Sequence, residues 1–145
     1  MSAYASAYPP DTPFDPAYKA FFEQFYAVSD DPGAHEVYVE NFTRDAIVIM
    51  ASRKVVGRDA ILALRHSMWE KVASRKHTAF KVFPFGANSN EVMIYGSVTY
   101  GLKSGGESSL DWAARAHLVK DDADGRVKMD FYQVYLDTGA QPQAK

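Results

Sequence analysis

Glu91-Val92-Met93-Ile94-Tyr95-Gly96-Ser97-Val98-Thr99-Tyr100-Gly101-Leu102 keeps a side-chain period of two from end to end, the pattern of a strand whose alternate residues face opposite sides of a sheet. The same period holds on either side of it, over Thr78 to Phe85, Leu110 to Lys120 and Arg126 to Leu136. Gly86-Ala87-Asn88-Ser89-Asn90, Ser104-Gly105-Gly106 and Asp121-Asp122-Ala123-Asp124-Gly125 separate these segments, and all three are turn compositions. Four long strands joined in this way predict an antiparallel meander.

Upstream of the meander the period is helical. Asp15-Pro16 predicts a helix start, because Asp is a favoured N-cap and Pro at the first helical position loses no intrahelical bond. Tyr18, Phe21, Phe22, Phe25 and Val28 then form one apolar stripe, and Ser29-Asp30-Asp31-Pro32-Gly33 ends it. A short second helix follows with Ala34, Val37, Tyr38 and Phe42 inward. Asp45 to Met50 reads as a strand, and Lys54-Val55-Val56 as a short one ending at Gly57. From Asp59 the helical period returns, with Ile61, Leu64, Met68 and Val72 on one face and Trp69 on its shoulder. The order implies an α+β fold: three N-terminal helices on one face of a strongly curved, mainly antiparallel sheet that ends in a four-strand meander. Such curvature leaves a pocket between the concave face and the helices. Residues 1–13 read as a flexible arm, 14–137 as a single domain and 138–145 as a C-terminal tail.

The composition narrows the chemistry. A chain of 145 residues suits one core. Aromatic residues make up 14% of it, enough for a large core and for rings around a cavity. The net charge of −2, with signs mixed along the chain, suggests neither a nucleic-acid nor a membrane partner. With no cysteine, disulfides, thiolate catalysis and Cys-based metal centres are excluded. The opening MSAYASAYPPDTP lacks the basic and apolar regions of a secretory signal, and no apolar run approaches the roughly 18–20 residues that span a bilayer, so a cytoplasmic location is expected. His35-Glu36 is followed by Val39 where a zinc helix would carry its second His, so no metal site is expected. Gly105-Gly106 is a hairpin turn rather than a phosphate cradle, and no cofactor is implied.

Val55-Val56-Gly57-Arg58-Asp59-Ala60-Ile61 resembles the strand–Gly–helix junction of the NTF2-like superfamily, within it the SnoaL-like, ketosteroid-isomerase-like and scytalone-dehydratase-like branch. Asp124-Gly125-Arg126-Val127 resembles its last hairpin, and an aromatic-rich strand closes at Asp137. The resemblance implies a cone-shaped α+β domain. It also sets out known chemistries to compare. Met50 stands where a ketosteroid isomerase has its aspartate base, and a thioether takes no proton. Tyr26 approximates that enzyme's oxyanion tyrosine. His77 resembles in position a catalytic histidine of scytalone-dehydratase-like members, and Asp30 stands roughly where its partner aspartate does. Their second histidine falls near Tyr100 to Leu102, where this chain has no imidazole.

His77 is the leading candidate for a general acid or base; the alternative is a strand-end histidine in solvent among Arg75, Lys76 and Thr78. On the third strand of the meander, Asp111, Arg115 and His117 share one parity, and Trp112, Ala114, Ala116 and Leu118 the other. If Lys120 pairs with Arg126, Ala116 faces Asp130 and Ala114 faces Tyr132. The alanine face then reads as a pocket wall with Asp130 as a second proton carrier and Tyr132 as a hydrogen-bond donor. A slip of one residue exchanges these partners, and Arg115 and His117 then become the ligand-facing side. Around the pocket we expect Tyr26, Met50, Trp69, Trp112, Arg115 and His117. The function expected is binding of a small, largely apolar organic molecule, with cofactor-free isomerisation, dehydration or cyclisation of a polyketide- or terpenoid-like substrate. The alternative is a non-catalytic binding or dimerisation module. Either reading allows a homodimer through the exposed sheet face.

Overall fold

The computed structural model describes residues 3–140; residues 1–2 and 141–145 of the expected arm and tail lie outside them. Helix α1 spans Pro16–Asp30 and starts as its sequence predicts, with the Asp15 carboxylate accepting from the Ala17 amide at 2.9 Å. Helix α2 spans His35–Glu40, and α3 spans Arg58–Ser67, entered through Gly57 at φ 87°. The strands are β1 Phe42–Met50, β2 Arg53–Val56, β3 Val72–Pro84, β4 Glu91–Leu102, β5 Glu107–Lys120 and β6 Val127–Leu136. They form one six-stranded sheet in the order β2-β1-β6-β5-β4-β3. The pairings are antiparallel except β1 with β6, so the sheet is mixed with an antiparallel majority.

The core fills the space between this sheet and the helices. Phe22, Phe25 and Tyr26 of α1 are almost wholly buried. The Phe25 ring meets those of Tyr26, Tyr38, Phe42 and Tyr132 at centroid distances from 5.1 to 5.8 Å, mostly tilted or edge-on, the arrangement aromatic quadrupoles favour. From the sheet, Trp112, Ala114, Ala116 and Leu118 face inward and are all buried. Arg65 of α3 is 0% exposed and closes the end of α1: its guanidinium donates to Ser29 O at 2.7 Å and Asp31 O at 2.6 Å. Carbonyls that α1 leaves unpaired thus meet a cation at the negative end of the helix dipole. Burial pulls the Arg65 pKa down to about 10, so the guanidinium stays charged at neutral pH.

Several elements differ from the sequence reading, each for a local reason. Helix α3 stops at Ser67, and Val72 opens β3 instead of closing the helix. Strand β3 therefore begins well before Thr78. Two register shifts, between Val72 and Ser74 and between Ala79 and Lys81, break its alternation and conceal it from a period-two reading. In α2 it is Val39 that is buried, while Val37 is 42% exposed, and Phe42 belongs to β1. The β5–β6 register also departs from the expected one. Lys120 pairs with Val127, and a further shift between His117 and Leu118 sets Ala116 opposite Tyr132 and Ala114 opposite Val134. The bulge falls at Asp130. It turns that carboxylate away from the alanine face.

Candidate active site

Asp30 is the last residue of α1, and the sheet brings His77 of β3 against it. His77 Nδ1 lies 2.6 Å from Asp30 Oδ1, and the His77 backbone N–H donates to Asp30 Oδ2 at 2.9 Å. The Tyr4 hydroxyl donates to the same Oδ2 at 2.8 Å. That contact is possible because the N-terminal segment lies along β3: Ala7 N–H donates to Phe80 O at 2.9 Å, and Val82 N–H donates to Ala7 O at 3.0 Å. The Lys76 ammonium sits 3.7 Å from the centre of the Tyr4 ring. Asp30 keeps only 6% of its side-chain surface exposed and His77 16%.

Desolvation lowers the His77 pKa below 6.5; Asp30 opposes this, while Arg75 and Arg65 reinforce it. The imidazole is therefore neutral at pH near 7. A neutral ring hydrogen-bonded to a carboxylate through Nδ1 carries its proton there, which leaves the Nε2 lone pair free to act as a base. Next to it, the Tyr26 and Tyr132 hydroxyls lie 3.0 Å apart. Burial raises both phenol pKa values, so both stay protonated. One of their two protons lies in the mutual hydrogen bond and the other remains available to a third group.

His77 and Tyr132 border an internal cavity of about 40 Å³, whose lining also includes Arg75, Trp112, Met50 and Met68. Arg75 is 9% exposed, and its guanidinium is stacked between the Trp69 and Tyr100 rings at 5.0 and 5.1 Å. Its Nη2 donates to Met68 O at 2.6 Å. Desolvation lowers its pKa, partly offset by Tyr100, Tyr38 and Asp30. A wider open groove of about 630 Å³ lies between the N-terminal segment and α1, lined by prolines and rings and containing no histidine. His77 stands on the inner cavity and not on this groove.

Of the residues expected from sequence, His77, Met50, Trp112 and Tyr132 stand on the cavity wall. Tyr26 lies behind it, held by Tyr132, and Trp69 lies beneath Arg75. Asp130, Arg115 and His117 are not brought to the cavity. His117 Nδ1 meets Asp130 Oδ1 at 2.7 Å, with side-chain exposures of 35% and 41%. Arg115 pairs with Glu91 at 2.7 Å and lies over the Phe131 ring. His35 accepts from Arg65 Nε at 3.1 Å, and its ring lies tilted beside that of His66 with centroids 4.4 Å apart. Sequence reasoning passed over Arg75 and Tyr4. Arg75 had a signal, since it precedes His77 by two residues and so shares its face of the strand; Tyr4 had none. Among the described residues, no three His, Asp or Glu side chains converge in a way that could hold a metal ion.

Solved structures similar to this chain share its fold. A candidate scytalone dehydratase from Novosphingobium aromaticivorans superposes with a TM-score of 0.73 at 16% identity, covering 84% of this chain and 83% of its own. A candidate SnoaL-like polyketide cyclase from Jannaschia gives 0.66 at 16% identity, over 86% and 87% of the two chains. Nuclear transport factor 2 from Cryptosporidium parvum gives 0.68 at 13% identity, over 88% and 100%. No family model matches the sequence, and no curated protein matches it. The chain has the NTF2-like fold, and at these identities the likeness is one of fold.

Proposed function

We propose that this chain is a cofactor-independent acid–base enzyme acting on a small organic molecule held in the cavity beside His77. The observation that carries the reading is His77 on the cavity wall, held through Nδ1 by the buried Asp30 carboxylate, with the imidazole neutral and its outer nitrogen unoccupied by that carboxylate. In the simplest sequence, His77 Nε2 removes a proton from carbon next to a carbonyl, and the C–H electron pair moves toward the carbonyl oxygen. If a β-hydroxyl is present, it leaves as water with a proton returned from His77, and a double bond forms. Returned to a different carbon, the proton completes an isomerisation. Tyr132, backed by Tyr26, donates a hydrogen bond to the substrate oxygen. The fold's occurrence in a candidate scytalone dehydratase and a candidate polyketide cyclase supports a polyketide- or terpenoid-like substrate.

The cavity is smaller than the roughly 300 Å³ that drug-sized ligands occupy, so binding requires the wall to yield. Met50 and Met68 are the adaptable members of that wall. The test is a panel of aryl ketones with and without β-hydroxyl groups, followed in D₂O for α-hydrogen exchange and for loss of water. The wild-type chain is expected to accelerate one of these reactions, and His77→Asn to reduce it by about 100-fold or more. No acceleration, or equal acceleration by His77→Asn, would sink the catalytic reading.

The small cavity favours a second reading, a non-catalytic binding or dimerisation module. Nuclear transport factor 2 shares the fold, and the outer sheet face carries Phe83, Met93, Tyr95 and Tyr135 at 40–49% exposure. A homodimer through that face is compatible with both readings, as is a cytoplasmic setting. No helix among the described residues is long and apolar enough to cross a membrane.

A further inference from the structure

Two donors on the cavity wall lack acceptors among the described residues: Arg75 Nε and Trp112 Nε1. Both side chains are more than nine-tenths buried. Burying an N–H without a partner costs on the order of 1–3 kcal/mol, and a buried guanidinium without a counter-charge costs several more. The two rings that sandwich Arg75 stabilise its charge without neutralising it. Its one strong hydrogen bond is to a carbonyl, that of Met68. No carboxylate lies within 4 Å of it among the described ion pairs, and Asp30 is committed to His77 and Tyr4. The wall therefore presents one fixed positive charge and two unused donors. The spare proton of the Tyr26–Tyr132 pair adds a third.

We propose that this arrangement is an organic-anion site: Arg75 and Trp112 together bind a carboxylate or phenolate oxygen of the ligand. The proposal deepens the acid–base reading above and rests on it for the cavity's being a ligand site. It also narrows the ligand from a largely apolar molecule to one with an apolar body and an acidic oxygen. Arg75 and His77 are two residues apart on β3, about 7 Å along the strand. The anchored oxygen and the atom that exchanges its proton thus belong to one small molecule. Charge complementarity is the argument for this occupant: a neutral ligand would leave the guanidinium without a carboxylate in direct contact, and an ammonium would meet it with like charge.

The probe is 4-nitrophenol, whose phenolate is coloured and whose ionisation falls near neutral pH. The wild-type chain is expected to bind the phenolate about tenfold or more tightly than the phenol, so that bound probe stays coloured at a pH where free probe is bleached. Arg75→Met, which keeps the length and apolar bulk, should abolish or reverse that preference. Should Arg75→Met fail to fold, Trp112→Phe serves, with a smaller loss of the same preference. Equal binding of the two forms by the wild-type chain, preference for the phenol, no saturable binding, or an unchanged preference in Arg75→Met would each overturn the proposal. The two readings fail separately. Binding without preference for the anion would leave the cavity a ligand site and discard only the anion. An intact preference in a chain whose His77→Asn variant turns over substrates normally would discard the base and keep the anion site.

Discussion

At the scale of single residues, the site is governed by what burial does to a histidine. Because the folded pKa of His77 lies below 6.5, the unfolded chain takes up a proton that the folded chain refuses as pH falls through that range. Stability at neutral pH is therefore lost on acidification, between the ordinary value and the lowered one. The urea midpoint is expected to fall from about pH 7 to about pH 5, and less steeply in His77→Asn. His35, lowered in the same direction by desolvation, Arg65 and His66, accounts for part of the slope that remains. The same shift keeps the proposed base unprotonated, so kcat/KM for a substrate found in the ketone panel should stay level from pH 7 through about 6.5 and decline only below. An unchanged midpoint slope in His77→Asn would show that the imidazole titrates alike in both states. Tyr4 makes a second prediction. Tyr4→Phe removes the hydroxyl on Asp30 Oδ2 and leaves the His77 amide there, at a cost of about 1 kcal/mol. Turnover should fall by about three- to tenfold, because Asp30 still orients the ring but less firmly. The placing of His77 near Asp30 was legible in the sequence through a family resemblance. Tyr4 was not, since a contact across so much chain follows from the path of the N-terminal segment along β3 and from no local pattern.

Among the elements, legibility tracked the regularity of the backbone. Strand β4 has the bounds its alternation predicts, while β3 and the β5–β6 register do not, because each carries a bulge that reverses which parity faces inward. Asp130 shows the consequence. Its residue type suited a pocket acid, yet the extra residue beside it moved it to the outer face with His117. The alanine face is the inner one along the whole strand because the extra residue lies on β6, at Asp130, so Trp112, Ala114, Ala116 and Leu118 keep one parity on β5. The bulge in β3 faces Gly96, which pairs with Ala79. A Cβ built on Gly96 would lie 2.3 Å from Thr78 O and 2.6 Å from Trp112 Cζ2. A backbone carbonyl and a packed indole cannot both yield, so this glycine is required for close approach and not for its torsions. Gly96→Ala is expected to destabilise the fold by about 1–3 kcal/mol, read as a lower denaturation midpoint, and to shift the fluorescence of Trp112. A midpoint and spectrum like the wild type's would mean that the sheet at this bend is softer than its packing implies.

For the molecule as a whole, the helices cover one face of the sheet and leave the other to be accounted for. Phe80, Phe83, Met93, Tyr95 and Tyr135 are 40–49% exposed there. Lys81 pairs with Tyr95, Tyr95 with Ala113 and Ala113 with Tyr135, so the outer row runs across four strands without a break. On this face Arg115 pairs with Glu91, and the His117 ring is hydrogen-bonded to Asp130. A second copy related by a two-fold axis would bring the same patch against itself, and paired charges can be buried at a rim without setting like against like. A stable homodimer needs about 800 Å² from each partner, an area that one face of a four-strand meander can supply. The chain is therefore expected to sediment as a dimer at micromolar concentration. Tyr95→Lys, which places a charge in the centre of the aromatic row, should shift it to a monomer while leaving the fold intact, because that side chain contributes nothing to the inner core. Since His77, Asp30 and Arg75 all lie on the opposite side of the sheet, the monomeric variant should keep its preference for the phenolate probe. A wild-type chain that sediments as a monomer would leave the aromatic row to a different partner. A monomeric variant that lost the probe as well would mean that the sheet needs its second copy to hold the curvature on which the cavity depends.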